Sequence, residues 1–296
     1  MRSAHRSHLC LAVSRMLAAV MAAAVFMVSG AAAASADAVE SPHFSMTGTP
    51  YPDPDTVYAQ SESAQDTVRV LSYNVAHWNN DGDVYIGDSG NEEALLHLKL
   101  LLMRVEADVV CTQEDGEFID AHGTLSPLES IFAPLYPYKT GVGGPAIYSK
   151  STDGSRTFVL STCTIRRTIC TVNGKSLYVY CAHLDSGSAD IRIAQLNDII
   201  ANAIGEDRPA HWVVCGDFNT MTSADMHNLI ALASTNDYSF ANGGVFGWLD
   251  TNKIGMPLDN FLCSPNIIII KFEAMEDWHE MLWSDHYPVY CDLILQ

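Results

Sequence analysis

Basic side chains are scarce in this chain: 16 Lys and Arg stand against 35 Asp and Glu in 296 residues, a formal charge of −19. A surface so acidic repels polyanions at long range, which excludes tight nucleic-acid binding through charge alone. It does not exclude a phosphate substrate, because a bound divalent cation inverts the local field inside an acidic site. The plainer purpose of the acidity is solubility. Cysteine and histidine nowhere fall at zinc-ligand spacing. Walker and dinucleotide fingerprints are absent, so the glycines of Gly141-Val142-Gly143-Gly144-Pro145 read as turn chemistry. No internal repeat occurs, and no low-complexity tract lies outside the N-terminal segment.

What is present begins with that segment. Arg2, Arg6 and Arg15 precede an unbroken apolar run over 16–28, then small residues through Ala36, with no acid before Asp37. This is the pattern of a secretory signal over 1–36, with cleavage after Ala34-Ser35-Ala36 and a secreted or cell-envelope destination. The run is shorter than the roughly 20 residues that span a bilayer, and an uncleaved anchor is the minor alternative. Loss of those arginines takes the formal charge from −19 to −22. Residues 37–66, with Pro42, Pro50, Pro52 and Pro54, read as a polar linker or N-terminal arm. Residues 67–296 are then expected to form the folded domain. Of eight cysteines, Cys10 lies in the signal, and Cys111, Cys181, Cys215 and Cys291 sit in apolar strand-like runs as buried hydrophobes. In an oxidising compartment, Cys163 with Cys170 is the expected disulfide.

Strands are expected over 68–74, 108–112, 146–148, 157–171, 175–183, 258–263, 267–272 and 287–295, with Asn173-Gly174 as a hairpin turn. Leu95, Leu98, Leu101, Leu102 and Val105 mark a helix capped by Asn91. A second helix, with Ser188 as its cap, places Ile193, Leu196, Ile200 and Ala203 on one face and Arg192 and Gln195 on a solvated or loop-bracing face. Short helices are expected within 118–138 and near 224–231. The run Trp212-Val213-Val214-Cys215 reads as a buried strand, and it ends at Gly216-Asp217-Phe218-Asn219. Glycine there permits a tight turn or a close approach, so Asp217 and Asn219 can project from the rim of a sheet. Alone, this is also the pattern of an ordinary Asx-turn.

Polar groups gather at other strand boundaries too: Asn74, Glu114, His183, Asp259, and Asp285 with His286. Strands alternating with helices and hairpins can bring them to one edge of a layered core. Phosphate-ester hydrolysis needs an in-line water, a cation for the equatorial oxygens and a proton for the leaving group. Carboxylate and amide oxygens suit Mg²⁺ or Mn²⁺. Glu114 is the principal candidate ligand, with Asn74 assisting and Asp285 completing the set. His183 and His286 can exchange protons near neutral pH.

The motifs Leu71-Ser72-Tyr73-Asn74, Cys111-Thr112-Gln113-Glu114, Ala182-His183-Leu184-Asp185, Gly216-Asp217-Phe218-Asn219, Leu258-Asp259-Asn260-Phe261 and Ser284-Asp285-His286-Tyr287-Pro288-Val289 resemble, in order, those of the endonuclease/exonuclease/phosphatase superfamily. The resemblance implies a four-layer α/β sandwich, two mainly antiparallel sheets face to face with helices outside. It implies that Asp259 pairs with His286, that Asp217 orients or deprotonates the attacking water, and that Asn219 holds the water or a phosphoryl oxygen. His286 and Asp217 are expected to share the base role. Asn260 stands where relatives often carry an aromatic or histidine, which puts substrate contacts there in doubt. Lys150 stands either at the substrate phosphate or at a solvated strand end. The expected protein is an exported, metal-dependent phosphoesterase and a monomer without a stable protein partner. Alternatives are a secreted DNA/RNA nuclease, a sphingomyelinase-like lipid phosphodiesterase with Phe246-Gly247-Trp248-Leu249 or 267–270 at the interface, and a non-catalytic binding protein on the same fold.

Overall fold

The computed structural model describes residues 67–76, 92–115, 131–141, 144–151, 154–276 and 284–296. The signal, the linker, the Asn91 cap and most of the 118–138 segment lie outside the described residues. Among those described, no helix is long and apolar enough to cross a membrane.

Two six-stranded sheets form the body. The first orders β11 (Ile267–Ala274), β12 (Val289–Leu295), β1 (Thr67–Asn74), β2 (Val109–Gln113), β4 (Ala146–Ser149) and β3 (Tyr138–Thr140). The second orders β5 (Arg156–Val159), β6 (Thr164–Val172), β7 (Lys175–His183), β8 (His211–Asp217), β10 (Asp259–Cys263) and β9 (Ser239–Phe240). Only β1 with β2 and β7 with β8 run parallel; the other pairings are antiparallel. The layered α/β sandwich implied by the sequence is therefore the observed one.

Period-two alternation builds the layers. Val68, Val70, Val109, Cys111, Leu177, Val179, Cys181, Val213, Cys215, Phe261, Cys263, Cys291 and Leu293 fill one core cluster. These residues come from the facing strands of both sheets, so the cluster is the seam between them. Residues of opposite parity meet helices. Leu71, Tyr73 and Val110 pack with Leu98, Leu101, Leu102 and Val105 of α1 (Glu92–Val105). Tyr180, Ala182, Trp212, Val214 and Leu262 pack with α2 (Ala189–Asp198), its π-helical continuation Ile199–Ile204, and α3 (Ser223–Asn236). Helix α3 opens on a capping box in which Thr222 and Asp225 satisfy each other's backbone N–H groups.

Several expectations need correction. The single strand over 157–171 is two, β5 and β6, because Leu160 N–H donates to the Cys163 carbonyl (2.9 Å) and closes a turn. Cys163 and Cys170 are both free thiols. Seven residues apart along an extended run they stand about 20 Å apart, far beyond the roughly 7 Å limit for Cα atoms joined by a disulfide. Arg192 and Gln195 are buried rather than solvated, and the loop-bracing reading is the one realised. The expected hairpin at Asn173-Gly174 is present, with both residues at positive φ (51° and 77°) and Val172 paired to Lys175.

Candidate active site

The site is where the inter-sheet seam reaches the rim. On β1 the seam-facing parity continues from Val70 through Ser72 to Asn74, and on β2 from Cys111 to Gln113. On β7 it runs from Cys181 to His183, on β8 from Cys215 to Asp217, and on β10 from Phe261 back to Asp259. The alternation that buries valines in the middle of each strand thus aims polar groups into the same seam at its end. Glu114 follows β2 with φ of 54° and Asn219 follows β8 with φ of 50°. Left-handed backbone ends the alternation at both positions, and such conformations persist only where surrounding contacts enforce them.

Gly216 is required by close approach. Its φ is +145°, and a Cβ there would lie 1.8 Å from the Ala182 carbonyl oxygen. Only glycine lets β7 and β8 come together one residue before their rim ends, where His183 and Asp217 are register partners.

One oxygen lies at the centre. Asp217 Oδ2 accepts from Asn74 Nδ2 at 2.9 Å and lies 3.5 Å from His183 Nε2 and 3.6 Å from His286 Nε2. Asp217 Oδ1 accepts from the Asn219 backbone N–H at 2.8 Å. The Asn74 amide also donates to Glu114 Oε1 (3.2 Å), which lies 3.9 Å from His183 Nε2. Asn219 donates its side-chain amide to the Leu184 carbonyl (2.9 Å). His286 Nδ1 is 2.9 Å from Asp259 Oδ2, which also accepts from Thr251 Oγ1 at 2.7 Å. The structure therefore brings together Asn74, Glu114, His183, Asp217, Asn219, Asp259 and His286. The carboxylate of Asp285 is on the exposed rim, near enough to His286 to favour its protonation.

Burial and charge set the protonation states. Burial pushes Asp217 upward, the Asp259 charge adds to this, and His286, His183 and the Asn74 hydrogen bond pull back, leaving it at about 6. Burial opposes charge on His286, but Asp259, then Asp217 and Asp285, outweigh it and hold the imidazole at about 10. The donors around Glu114 are carboxylate, amide and imidazole, with no thiolate, a set that fits a hard divalent cation. Glu114 keeps 30% of its side chain exposed, so a cation and its waters have access. Asp217, Asp259 and His286 also each offer a ligand atom within 4.8 Å of the others. There Asp259 Oδ1 is buried with no hydrogen-bond partner among the described residues.

Sequence reasoning missed two supports, Thr251 and Ser284, and left a third, Arg192 with Gln195, open between solvation and loop-bracing. Thr251 grips Asp259 twice, donating to its carboxylate and accepting from its N–H at 2.9 Å. Ser284 donates to the Asn74 carbonyl (2.6 Å) and accepts from the His286 N–H (3.1 Å), tying together the site residues at the ends of the neighbouring strands β1 and β12. Arg192 forks onto Asp225 (2.8 and 2.7 Å) and donates to the Asp185 carbonyl (2.8 Å), while Gln195 accepts from the Asp185 N–H (2.8 Å). That double grip fixes the chain just after Leu184, on which Asn219 rests. Ser284 was visible within its motif; Thr251 carried no local signal.

Two further expectations are decided. Lys150 follows the strand end paired to the start of β2, and its Nζ contacts Asp108 Oδ1 (3.4 Å) and the Glu106 carbonyl (3.2 Å). It is a strand-end ion pair at the opposite end of β2 from Glu114. Asn260 is fully buried, holding Asn242 through its N–H (3.0 Å) and carbonyl (2.9 Å). It faces away from the seam and braces the loop behind β10.

The chain belongs to the Endonuclease/Exonuclease/phosphatase family, whose model matches residues 71–286. A comparison with curated proteins found no match. Among solved structures, an endonuclease/exonuclease/phosphatase from Bacteroides vulgatus is similar at TM-score 0.59 and 18% identity, covering 78% of this chain and 99% of that one. The human Nocturnin catalytic domain with bound sulfate is similar at TM-score 0.59 and 18% identity, over 78% of this chain and 96% of that one. ANGEL2, a 2′,3′-cyclic phosphatase in complex with adenosine-2′,3′-vanadate, is similar at TM-score 0.56 and 15% identity, over 77% and 96%. At these identities the likeness is one of fold.

Proposed function

We propose that this protein is an exported phosphoesterase dependent on Mg²⁺ or Mn²⁺, hydrolysing a phosphodiester or phosphomonoester by in-line attack of water. The observation that carries the reading is the convergence of Asn74, His183 and His286 on Asp217 Oδ2, beside the open carboxylate of Glu114. Glu114 is the cation's main ligand, flanked by Asn74 and Asp285. When bound, the cation neutralises phosphoryl oxygen charge. Asp217, held near neutral proton affinity, accepts the proton of the attacking water. His286, kept protonated by Asp259, holds a phosphoryl oxygen and stabilises charge developing there. His183 supplies the proton at the leaving oxygen, and Asn219 positions the water. The base role expected to be shared thereby falls mainly to Asp217.

The surface favours a water-soluble ester over a membrane lipid. Phe246 and Trp248 are half-buried, Phe246 near Phe272 (centroids 6.4 Å) and Trp248 over Gly243, and Ile267, Ile269 and Ile270 are buried in β11. Of these candidates only Leu249 is strongly exposed, at 42%. We infer a nucleotide-directed or general phosphoesterase that acts as a monomer, and the adenosine-2′,3′-vanadate complex of ANGEL2 supports the nucleotide part of this reading. Purified protein is expected to cleave bis(p-nitrophenyl) phosphate with Mg²⁺ or Mn²⁺ and to stop in EDTA. Equal rates in both would sink the metal role. No turnover of any phosphate ester, with a normal fold, would leave the non-catalytic binding protein as the better reading.

A further inference from the structure

On β2 the pleat sends Cys111 and Gln113 into the seam, where the Gln113 amide donates to Cys181 Sγ at 3.3 Å, and it sends Val110 and Thr112 to the face covered by α1. Continued regularly, the alternation would turn Glu114 toward the helix-covered face and Asp115 into the seam. The structure has the reverse. Glu114 Oε1 lies 3.2 Å from Asn74 Nδ2 and 3.9 Å from His183 Nε2 at the rim of the seam. The Asp115 carboxylate is instead buried on the opposite face, where its Oδ2 accepts from the hydroxyls of Tyr148 (2.5 Å) and Thr112 (3.0 Å). The exchange is made at Glu114, whose φ of 54° is left-handed backbone that a residue with a side chain keeps only where contacts enforce it.

Those contacts belong to Asp115. Thr112 stands three residues back on the same strand, and Tyr148 stands on β4, the antiparallel neighbour of β2. The Tyr148 ring is itself stacked on Phe132, with centroids 4.0 Å apart, and Lys139 of β3 lies 4.9 Å from its centre and 4.0 Å from the same Asp115 oxygen. Both hydroxyls are thus fixed by packing before they meet the carboxylate. Hydroxyl donors to an ionised carboxylate form short, strong bonds, and a carboxylate buried without them is costly, so the chain after Glu114 has one favourable direction. Strands β3 and β4 contribute none of the side chains converging on Asp217, and this clasp is how they act on the site.

We propose that Asp115 is a positioning residue: clasped by Thr112 and Tyr148 on the helix-covered face, it holds the turn that presents Glu114 to the cation, and so sets the affinity for that cation. Of two adjacent carboxylates, one is committed to the fold and the other is freed for the ion. The turn is a property of this chain alone, and its effect on cation affinity rests on the phosphoesterase reading.

Two measurements on the purified protein test it. The first is Mn²⁺ binding without substrate, followed by electron paramagnetic resonance of the free ion, with the fold of each variant checked by circular dichroism. Asp115→Ala is expected to bind Mn²⁺ roughly tenfold or more weakly than Asp115→Asn. Both variants lose the same charge, and only the amide keeps an oxygen for the two hydroxyls. The second measurement needs no metal. In EDTA, Glu114→Gly is expected to melt about 2–4 °C above Glu114→Ala, because glycine alone is at ease in left-handed backbone. Adding Asp115→Ala to both, or the milder Tyr148→Phe should the former not fold, is expected to close at least half of that gap. Equal Mn²⁺ affinities of Asp115→Ala and Asp115→Asn, or a melting gap left intact by loss of the clasp, would overturn the proposal. Mn²⁺ binding by Glu114→Ala as tight as that of wild type would overturn the metal reading instead, and the melting gap would then decide the clasp by itself.

Discussion

The pair of Asp259 and His286 predicts a pH dependence of stability that one substitution should erase. His286 goes from an ordinary 6.5 in the unfolded chain to about 10 when folded, with Asp259 the strongest upward influence after burial's opposition. The folded protein therefore keeps a proton that the unfolded chain releases above pH 6.5, and rising pH favours unfolding. The stabilisation is whole below 6.5 and disappears as pH approaches 10. Asp217, raised from 3.8 to about 6, acts with the same sign but has finished by the start of this window. The buried thiols of Cys111, Cys215, Cys263 and Cys291, all pushed up by burial, begin to contribute when unfolded cysteines ionise near about 8.5. Between pH 6.5 and 8.5 the histidine dominates, and stability should fall by about 2 kcal/mol.

Asp259→Asn removes that influence. It also leaves a buried imidazole and Thr251 without their charged partner, so at pH 6.5 the variant should be less stable by about 3–5 kcal/mol. Across the same window its loss should be about 1 kcal/mol or less, so the two curves converge. Urea denaturation in EDTA at pH 6.5, 7.5 and 8.5 measures this directly. Parallel curves would refute the assignment of His286's proton affinity to Asp259.

Gly216→Ala puts a methyl 1.8 Å from the Ala182 carbonyl at a φ that side chains avoid, and it is expected to prevent folding or to lower stability by more than about 3 kcal/mol, seen as a lost or strongly lowered Tm. Thr251→Val keeps shape but removes both bonds to Asp259, with an expected cost of about 1–3 kcal/mol in urea melts and a roughly tenfold fall in kcat. Lys150→Ala should change stability by no more than about 0.5 kcal/mol, with KM unaltered. A raised KM there would restore its place at the substrate.

What could be read from the residues followed the pleat. Asn74, His183 and Asp217 close strands and Asp259 opens one, and polar groups at strand boundaries were legible as a possible common edge before any coordinates. Arg192 was harder because its burial is decided by Asp225, 33 positions away, and by no feature of its own helix. The turn between β5 and β6 contains neither glycine nor proline; it is held by Asp198 accepting from Ser161 and Thr162 (2.8 and 2.7 Å), which no local pattern announces. Thr251 is hidden for the same reason. Its neighbour Asn252 forms an isolated bridge with His286, a pairing across 34 positions.

The strand order carries a consequence for when activity can arise. Strand β1 lies between β2 and β12, so Thr67 pairs with Ile294 and Ser72 with Val289. The first strand described is thus completed on one side only by the last. Asn74 rides on the one, and His286 leads into the other. A chain that extends only to β11 holds Asn74, Glu114, His183, Asp217 and Asp259 but lacks Asp285, His286 and the neighbour that fixes β1, and the candidate site is completed only when the seven residues of β12 dock. Completion of the candidate site is in this sense a report on the whole domain, because the last strand supplies both the partner of β1 and the segment that carries His286.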